Sequence, residues 1–297
     1  MGQQFPTLDD LRREVDGIDD AMHDLLIRRA EVSRAIALVK QPGAGADVGS
    51  LTPAMRPARE AEILRRLLAR HRGDLPPQVV VRIWREIIAA SLRMQSKYQL
   101  HVFAGNHETA FLNLANAYFG LLAPIRSHPR VSLVVHACTE ETNSLGLVPL
   151  PEIEDPGAAW WAQLAPAGQP GPRVIAKLPF VTNGDELPSA YVIGAIEQEA
   201  SGDDTTLLLL EISAGLSRTK LQSLLQGAGF KAKLAATGRT SDKKVPDEAL
   251  IEVKGFIGKD DKRLKALAEA AGEAVLRIAP IGGFANPVVL TQAGGQR

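Results

Sequence analysis

A chain of 297 residues with 34 Lys and Arg against 34 Asp and Glu has no formal net charge, so it offers no electrostatic case for a nucleic-acid or membrane-surface partner. Its 45% hydrophobic content is that of ordinary globular protein, and its single cysteine, Cys138, excludes an intrachain disulfide framework and a cysteine-rich zinc site. The opening Met-Gly-Gln-Gln-Phe-Pro has no basic start followed by an apolar run, and no stretch approaches the length of a membrane span, so a cytoplasmic soluble protein is expected.

From Leu8 to Lys40 the spacing predicts one long helix, with Thr7 as N-cap and Asp9 and Asp10 in the favourable first turn. Leu11, Val15, Ile18, Met22 and Leu25 form an apolar seam that Val32, Ile36 and Val39 continue. A single long helix must bury such a seam against partners, which argues for a bundle or an intertwined dimer. Arg29 interrupts the seam. A guanidinium there needs a fixed carboxylate, supplied either by the protein as a structural salt bridge or by a ligand.

Residues 41–50 are rich in Gly, Ala and Pro and read as a flexible connection. Residues 57–72 form a second helix closed by Gly73, and Asp74, Pro76 and Pro77 open a third, whose seam runs Val80, Trp84, Ile87 and then meets Ser91 and Gln95. After Gln99 the character becomes α/β, with strand-like runs at His101–Ala104, Val131–Cys138 and Arg173–Val181. Trp160 and Trp161 lie in an irregular stretch that reads as packing over a sheet. Beyond Thr205 the predicted order is strand, helix, strand, strand, helix, strand, a ferredoxin-like unit of the kind that serves as a sensing or docking module.

Helical geometry groups the polar residues. Arg29 and Lys40 lie on nearly the same face, roughly 16 Å apart along the axis. Arg59 and Glu60 open the second helix, and Ser91 and Gln95, at i and i+4, project from one face of the third. Joined, these faces give three cations, a carboxylate, a hydroxyl and an amide, a set suited to a small dianion with neutral oxygens. Arg12 lies about 25 Å from Arg29, too far to grip the same molecule, but an antiparallel second copy brings the two together. The spacing is equally compatible with Arg12 as a solvated surface arginine.

Residues 8–99 resemble an all-helical chorismate mutase domain, through Leu11-Arg12, Val15, Ile18-Asp19, Leu25-Leu26-Ile27-Arg28-Arg29, Lys40, Arg59-Glu60, Ile87-Ile88, Ser91 and Gln95. The resemblance implies a homodimer that rearranges chorismate to prephenate in aromatic amino-acid biosynthesis, without nucleophile, metal or cofactor. It implies that Arg12 of the second subunit, Arg29 and Arg59 bind carboxylates and neighbouring polar atoms, that Lys40 and Gln95 donate to the ether oxygen, that Glu60 engages the ring hydroxyl and that Ser91 lines the site. Two departures stand out: Arg56 replaces the acidic residue often found one turn before Arg59, and the connection after Lys40 is longer than usual.

Residues 102–200 resemble one lobe of a prephenate dehydratase. Phe103-Ala104-Gly105 with Thr109 matches its glycine-rich opening, apart from Glu108 where a glycine is expected, and Leu145-Gly146-Leu147-Val148-Pro149 matches its strand into a substrate loop. Ser189-Ala190-Tyr191 stands where active enzymes have Thr-Arg-Phe, which implies a remnant without dehydratase activity. Residues 204–282 resemble an ACT domain, which implies an amino-acid effector, phenylalanine among the candidates, near Ser213-Ala214-Gly215-Leu216 and Thr237-Gly238-Arg239-Thr240. The expected organisation is multidomain, α plus α/β: a helical mutase over residues 1–100, a reduced dehydratase-like lobe over 101–203, and an ACT-like βαββαβ unit over 204–297. The alternatives are a bifunctional mutase and dehydratase, or a non-catalytic amino-acid sensor.

Overall fold

The structure is a computed structural model that describes residues 6–39, 55–105, 107–151, 159–164, 171–184, 188–238 and 246–290, excluding the side chain of Ala37. Lys40, the long connection after it, Arg239 and Thr240 lie outside the described residues.

Three helices come first: α1 (Leu8–Val39), α2 (Pro57–Arg70) and α3 (Pro77–Gln95). Thr7 caps α1 as expected, its Oγ1 accepting from the Asp10 amide at 3.2 Å while its own N–H donates to Asp10 Oδ2 at 3.0 Å. Proline occupies the first turn of α2 and of α3, where its missing N–H costs nothing. Helices α1 and α2 both pack on α3.

The α/β part follows: β1 (Gln99–Phe103), α4 (Glu108–Phe119), β2 (Ile125–His128), α5 (Val131–Glu140), β3 (Ser144–Pro149), a 3₁₀ turn at Trp160–Leu164, β4 (Arg173–Leu178), β5 (Val181–Thr182) and β6 (Ala190–Gly194). The last stretch is β7 (Asp204–Ile212), α6 (Arg218–Gly227), β8 (Ala232–Gly238), β9 (Asp247–Lys254), α7 (Lys262–Ala271), β10 (Val275–Ala285) and β11 (Val288–Val289). From β7 to β10 this is the expected βαββαβ order. Among the described residues one nine-stranded sheet runs through the α/β part, in the order β2-β1-β3-β6-β4-β10-β7-β9-β8, and β5 and β11 pair in a separate two-stranded sheet. The two halves join where β10 pairs parallel with β4 at Gly282 and Val174. A Cβ at Gly282 would lie 2.1 Å from the Val174 carbonyl oxygen, so the junction needs glycine there.

Val131–Cys138 is a correction: this run is helix α5, not a strand. Its β-branched residues suggested a strand, but Val131, Val134, Val135 and Cys138 recur at spacings of three and four and fill one face against the sheet. Trp160 and Trp161 are buried in the same cluster, over Val148, Val174, Leu207 and Leu209, so the pair is packing as expected. A second cluster lies between α4 and the β1–β3–β6 region, and a third under α6 and α7.

The helices are fastened to the sheet through α2. Arg65 donates to Ser201 Oγ and its carbonyl at 3.0 Å, to the Asp203 carbonyl at 2.8 Å and to the Asn286 carbonyl at 2.9 Å. Arg56, the departure noted in the sequence, pairs with Glu199 at 3.0 Å, a fixed contact from the entry of α2 to the α/β part. Among the described residues helix α1 has no such covering: its seam residues Leu11, Val15, Ile18, Met22, Leu25, Val32 and Ile36 are each at least 45% exposed.

Candidate active site

The site is built on α1 and α3. Arg29 sits where the two helices meet, half-buried, and its Nη1 donates to Ser91 Oγ at 2.6 Å. Ser91 donates in turn to the Ile87 carbonyl at 2.8 Å, one turn back along α3, so the hydroxyl is held in one orientation. Among the described residues Arg29 has no carboxylate partner. Burial alone lowers its pKa from the ordinary arginine value, because the desolvated cation has no counter-charge to offset it. Of the two sources of a carboxylate open from the sequence, the described protein supplies neither Asp nor Glu. Gln95 ends α3 one turn beyond Ser91, half-buried, with no side-chain hydrogen bond among the described residues.

The other candidate residues stand apart from this pair. Glu60 is 7% exposed and its Oε2 accepts from Arg85 Nη1 at 2.9 Å. Arg59 is exposed and pairs with Glu62 at 2.8 Å. Arg12 is exposed and lies 3.4 Å from Asp9 one turn away. Lys40 lies outside the described residues. The structure therefore brings Arg29 and Ser91 into contact and leaves Arg12, Arg59 and Glu60 in other pairings.

Arg85 was not singled out in the sequence, although it follows the same logic as Arg29, a cation at the 85, 88, 92 spacing of a buried face. Its guanidinium is 6% exposed, lies 3.6 Å above the Tyr118 ring centre, and donates to the Tyr118 carbonyl through Nε at 3.3 Å and Nη2 at 2.9 Å. Burial works against its charge, but Glu60 and Tyr118 outweigh it and raise the Arg85 pKa. The same burial, with Glu60 nearby, raises the Tyr118 phenol. This network joins α2, α3 and α4, and so joins the helices to the α/β part.

Residues 11–96 match the family model described as chorismate mutase type II, so the N-terminal helices are a chorismate mutase domain. A bifunctional chorismate mutase/prephenate dehydratase from Aquifex aeolicus is 31% identical over 120 residues, 39% of this chain and 31% of that protein. A protein of the same description from Neisseria gonorrhoeae is 30% identical over 129 residues, 42% of this chain and 33% of that protein. The chain thus spans about a third of the length of the curated relatives it matches. A solved prephenate dehydratase from Streptococcus mutans aligns at a TM-score of 0.45 and 15% identity, over 65% of this chain and 100% of that one.

Proposed function

We propose that this protein is a chorismate mutase, an isomerase that converts chorismate to prephenate. The observation that carries the reading is Arg29: a half-buried guanidinium, oriented by Ser91 and without an acidic partner among the described residues, is a prepared site for a ligand carboxylate. The reaction is a unimolecular rearrangement in which one C–O bond breaks as one C–C bond forms, so no proton or leaving group need be handled. Catalysis then consists of holding the compact reactive conformer and countering the negative charge that develops on the ether oxygen. In this reading Arg29, Arg59 and Arg12 of a second subunit hold the carboxylates and neighbouring polar atoms. Lys40 and Gln95 donate to the ether oxygen, Ser91 lines the site, and Glu60 meets the ring hydroxyl while Arg85 holds its other side.

The shared site requires a homodimer, and the exposed seam of α1 supports one. Seven aliphatic side chains on one face, each at least 45% exposed, are unusual for a lone helix. An antiparallel copy of α1 covers them and carries Arg12 toward Arg29. The α/β part serves in this reading as an extension without dehydratase activity, and Ala190, fully buried in β6, stands where an arginine is expected and supplies no cation to hold an anion. The βαββαβ unit is read as an ACT-like module for an amino-acid effector, phenylalanine being the first to try.

A second reading keeps both activities, favoured by the bifunctional description of the relatives. Purified protein decides between them: prephenate formation from chorismate without phenylpyruvate supports the first, and phenylpyruvate formation supports the second. Failure to consume chorismate contradicts both.

A further inference from the structure

A cleft of about 900 Å³ opens on the sheet between β4 and the β8–β9 edge, with the C-terminal end of α6 on its rim. It includes neither Arg29 and Ser91 nor the loops expected to take an effector. Four lysines line it, Lys177 from β4, Lys231 and Lys233 at the start of β8, and Lys254 at the end of β9, against one carboxylate, Glu252.

The strand register fixes how these charges meet. Ala232 pairs with Val253 and Lys233 with Glu252, and the Lys254 amide donates to the Lys231 carbonyl at 2.8 Å, so Lys231 and Lys254 stand directly opposite each other on one face. Like charges so placed destabilise a sheet. Glu252 is already committed, to Lys233 at 2.8 Å and to the Tyr191 hydroxyl, which donates to it at 3.1 Å. Lys177 is the cross-strand partner of Tyr191, which puts it on the same face, and its ammonium lies 5.3 Å from the Phe284 ring centre. Among the described residues Lys177, Lys231 and Lys254 have no carboxylate partner. Lysines on an edge strand guard against pairing with another chain, which accounts for Lys231 and Lys233. It does not account for Lys254, one strand further in, or for half-buried Lys177, four strands from β8.

The kind of cation narrows the anion. Of the 34 basic residues 22 are arginines, yet none of them lines the cleft. The planar arginine fork suits a carboxylate, whereas lysine acts as a point charge and is a common phosphate binder. The span narrows it further: β4 and β8 are four strand spacings apart, roughly 19 Å, too far for a single phosphate to answer both ends.

We infer that this cleft binds a polyphosphate chain, free or as the tail of a nucleotide, with Lys231, Lys233 and Lys254 at one end and Lys177 at the other. The bound chain neutralises the opposed pair Lys231 and Lys254.

The test titrates the full chain by calorimetry with tripolyphosphate, ATP and orthophosphate, in magnesium-free buffer at about 0.15 M salt, where exposed charges more than about 8 Å apart are largely screened. Wild type is compared with Lys177→Met and Lys254→Met, and with Lys265→Met on the exposed face of α7 as control, thermal unfolding confirming that all fold. The expected result is saturable binding of tripolyphosphate, at least tenfold weaker for orthophosphate and in each cleft variant, and within twofold of wild type in the control. ATP binding at least as tightly as tripolyphosphate assigns the nucleotide tail, and weaker ATP binding assigns the free chain; both support the site. No saturable binding overturns it, as does binding untouched in both cleft variants or weakened equally in Lys265→Met. Displacement of tripolyphosphate by equimolar prephenate also overturns it, because the cleft is then a dicarboxylate site. Chorismate turnover plays no part in these readouts, so a wild type that consumes no chorismate defeats the mutase reading alone.

Discussion

Arg29 on α1 and Ser91 on α3 are joined by a 2.6 Å hydrogen bond, and no carboxylate among the described residues answers the arginine charge. Removing the guanidinium should therefore cost activity more than stability. For Arg29→Ala we expect kcat/KM for chorismate to fall by about 10²–10³, the scale of one preorganised donor, with Tm unchanged or slightly higher because a desolvated cation is gone. Steady-state kinetics beside calorimetry separate the two effects.

Arg85 should behave in the opposite way. Arg85→Ala leaves Glu60 buried and unpaired, an expected loss of about 3–5 kcal/mol in unfolding free energy. The double variant Glu60→Met with Arg85→Met should recover most of that loss, since replacing both partners removes the stranded charge. Chemical denaturation of the three proteins measures this directly.

Stability should depend on pH through a histidine pair at the β1–β2 edge. His101 Nδ1 and His128 Nε2 lie 2.8 Å apart, and His101 is fully buried. Burial lowers the pKa of both rings, Arg126 lowers both further and His128 also lowers His101, while Glu141, 3.4 Å from His101, opposes this in part. The unfolded chain then binds more protons than the folded one below the ordinary histidine pKa of about 6.5. The contribution is complete above that pH and is lost as pH falls through it toward the lower folded values. Tm measured from pH 8 to pH 5 should decline on the acid side, and His101→Leu should flatten the decline.

The uncovered seam of α1 gives an assembly test. Ile18→Asp, in the middle of the seam, should shift the protein from dimer to monomer in sedimentation velocity and lower mutase activity with it, because Arg12 of the second copy is removed from the site. A monomeric wild type of full activity would contradict the shared site.

Much of this was legible in the sequence where spacing and local chemistry agree. The helices α1, α2 and α3, the Thr7 cap, the prolines opening α2 and α3, and the βαββαβ order could be read from the chain alone. Helix α5 could not be read from propensity, since its valines favour strands and only packing against the sheet makes it helical. The junction of β4 with β10 rests on a contact between residues more than a hundred positions apart, with glycine as its sole local sign. Of the site, Arg29 announced itself by interrupting an apolar seam. Arg85 gave the same signal more faintly, and its partners Glu60 and Tyr118 come from other helices that spacing cannot bring together.

The most direct test is the loss of chorismate absorbance with purified protein, run beside Arg29→Ala and Lys40→Ala, with the product identified. Rapid prephenate formation by the wild type, reduced at least a hundredfold in both variants while they remain folded, is the predicted result. A wild type that leaves chorismate unchanged, or variants as fast as the wild type, would contradict the account.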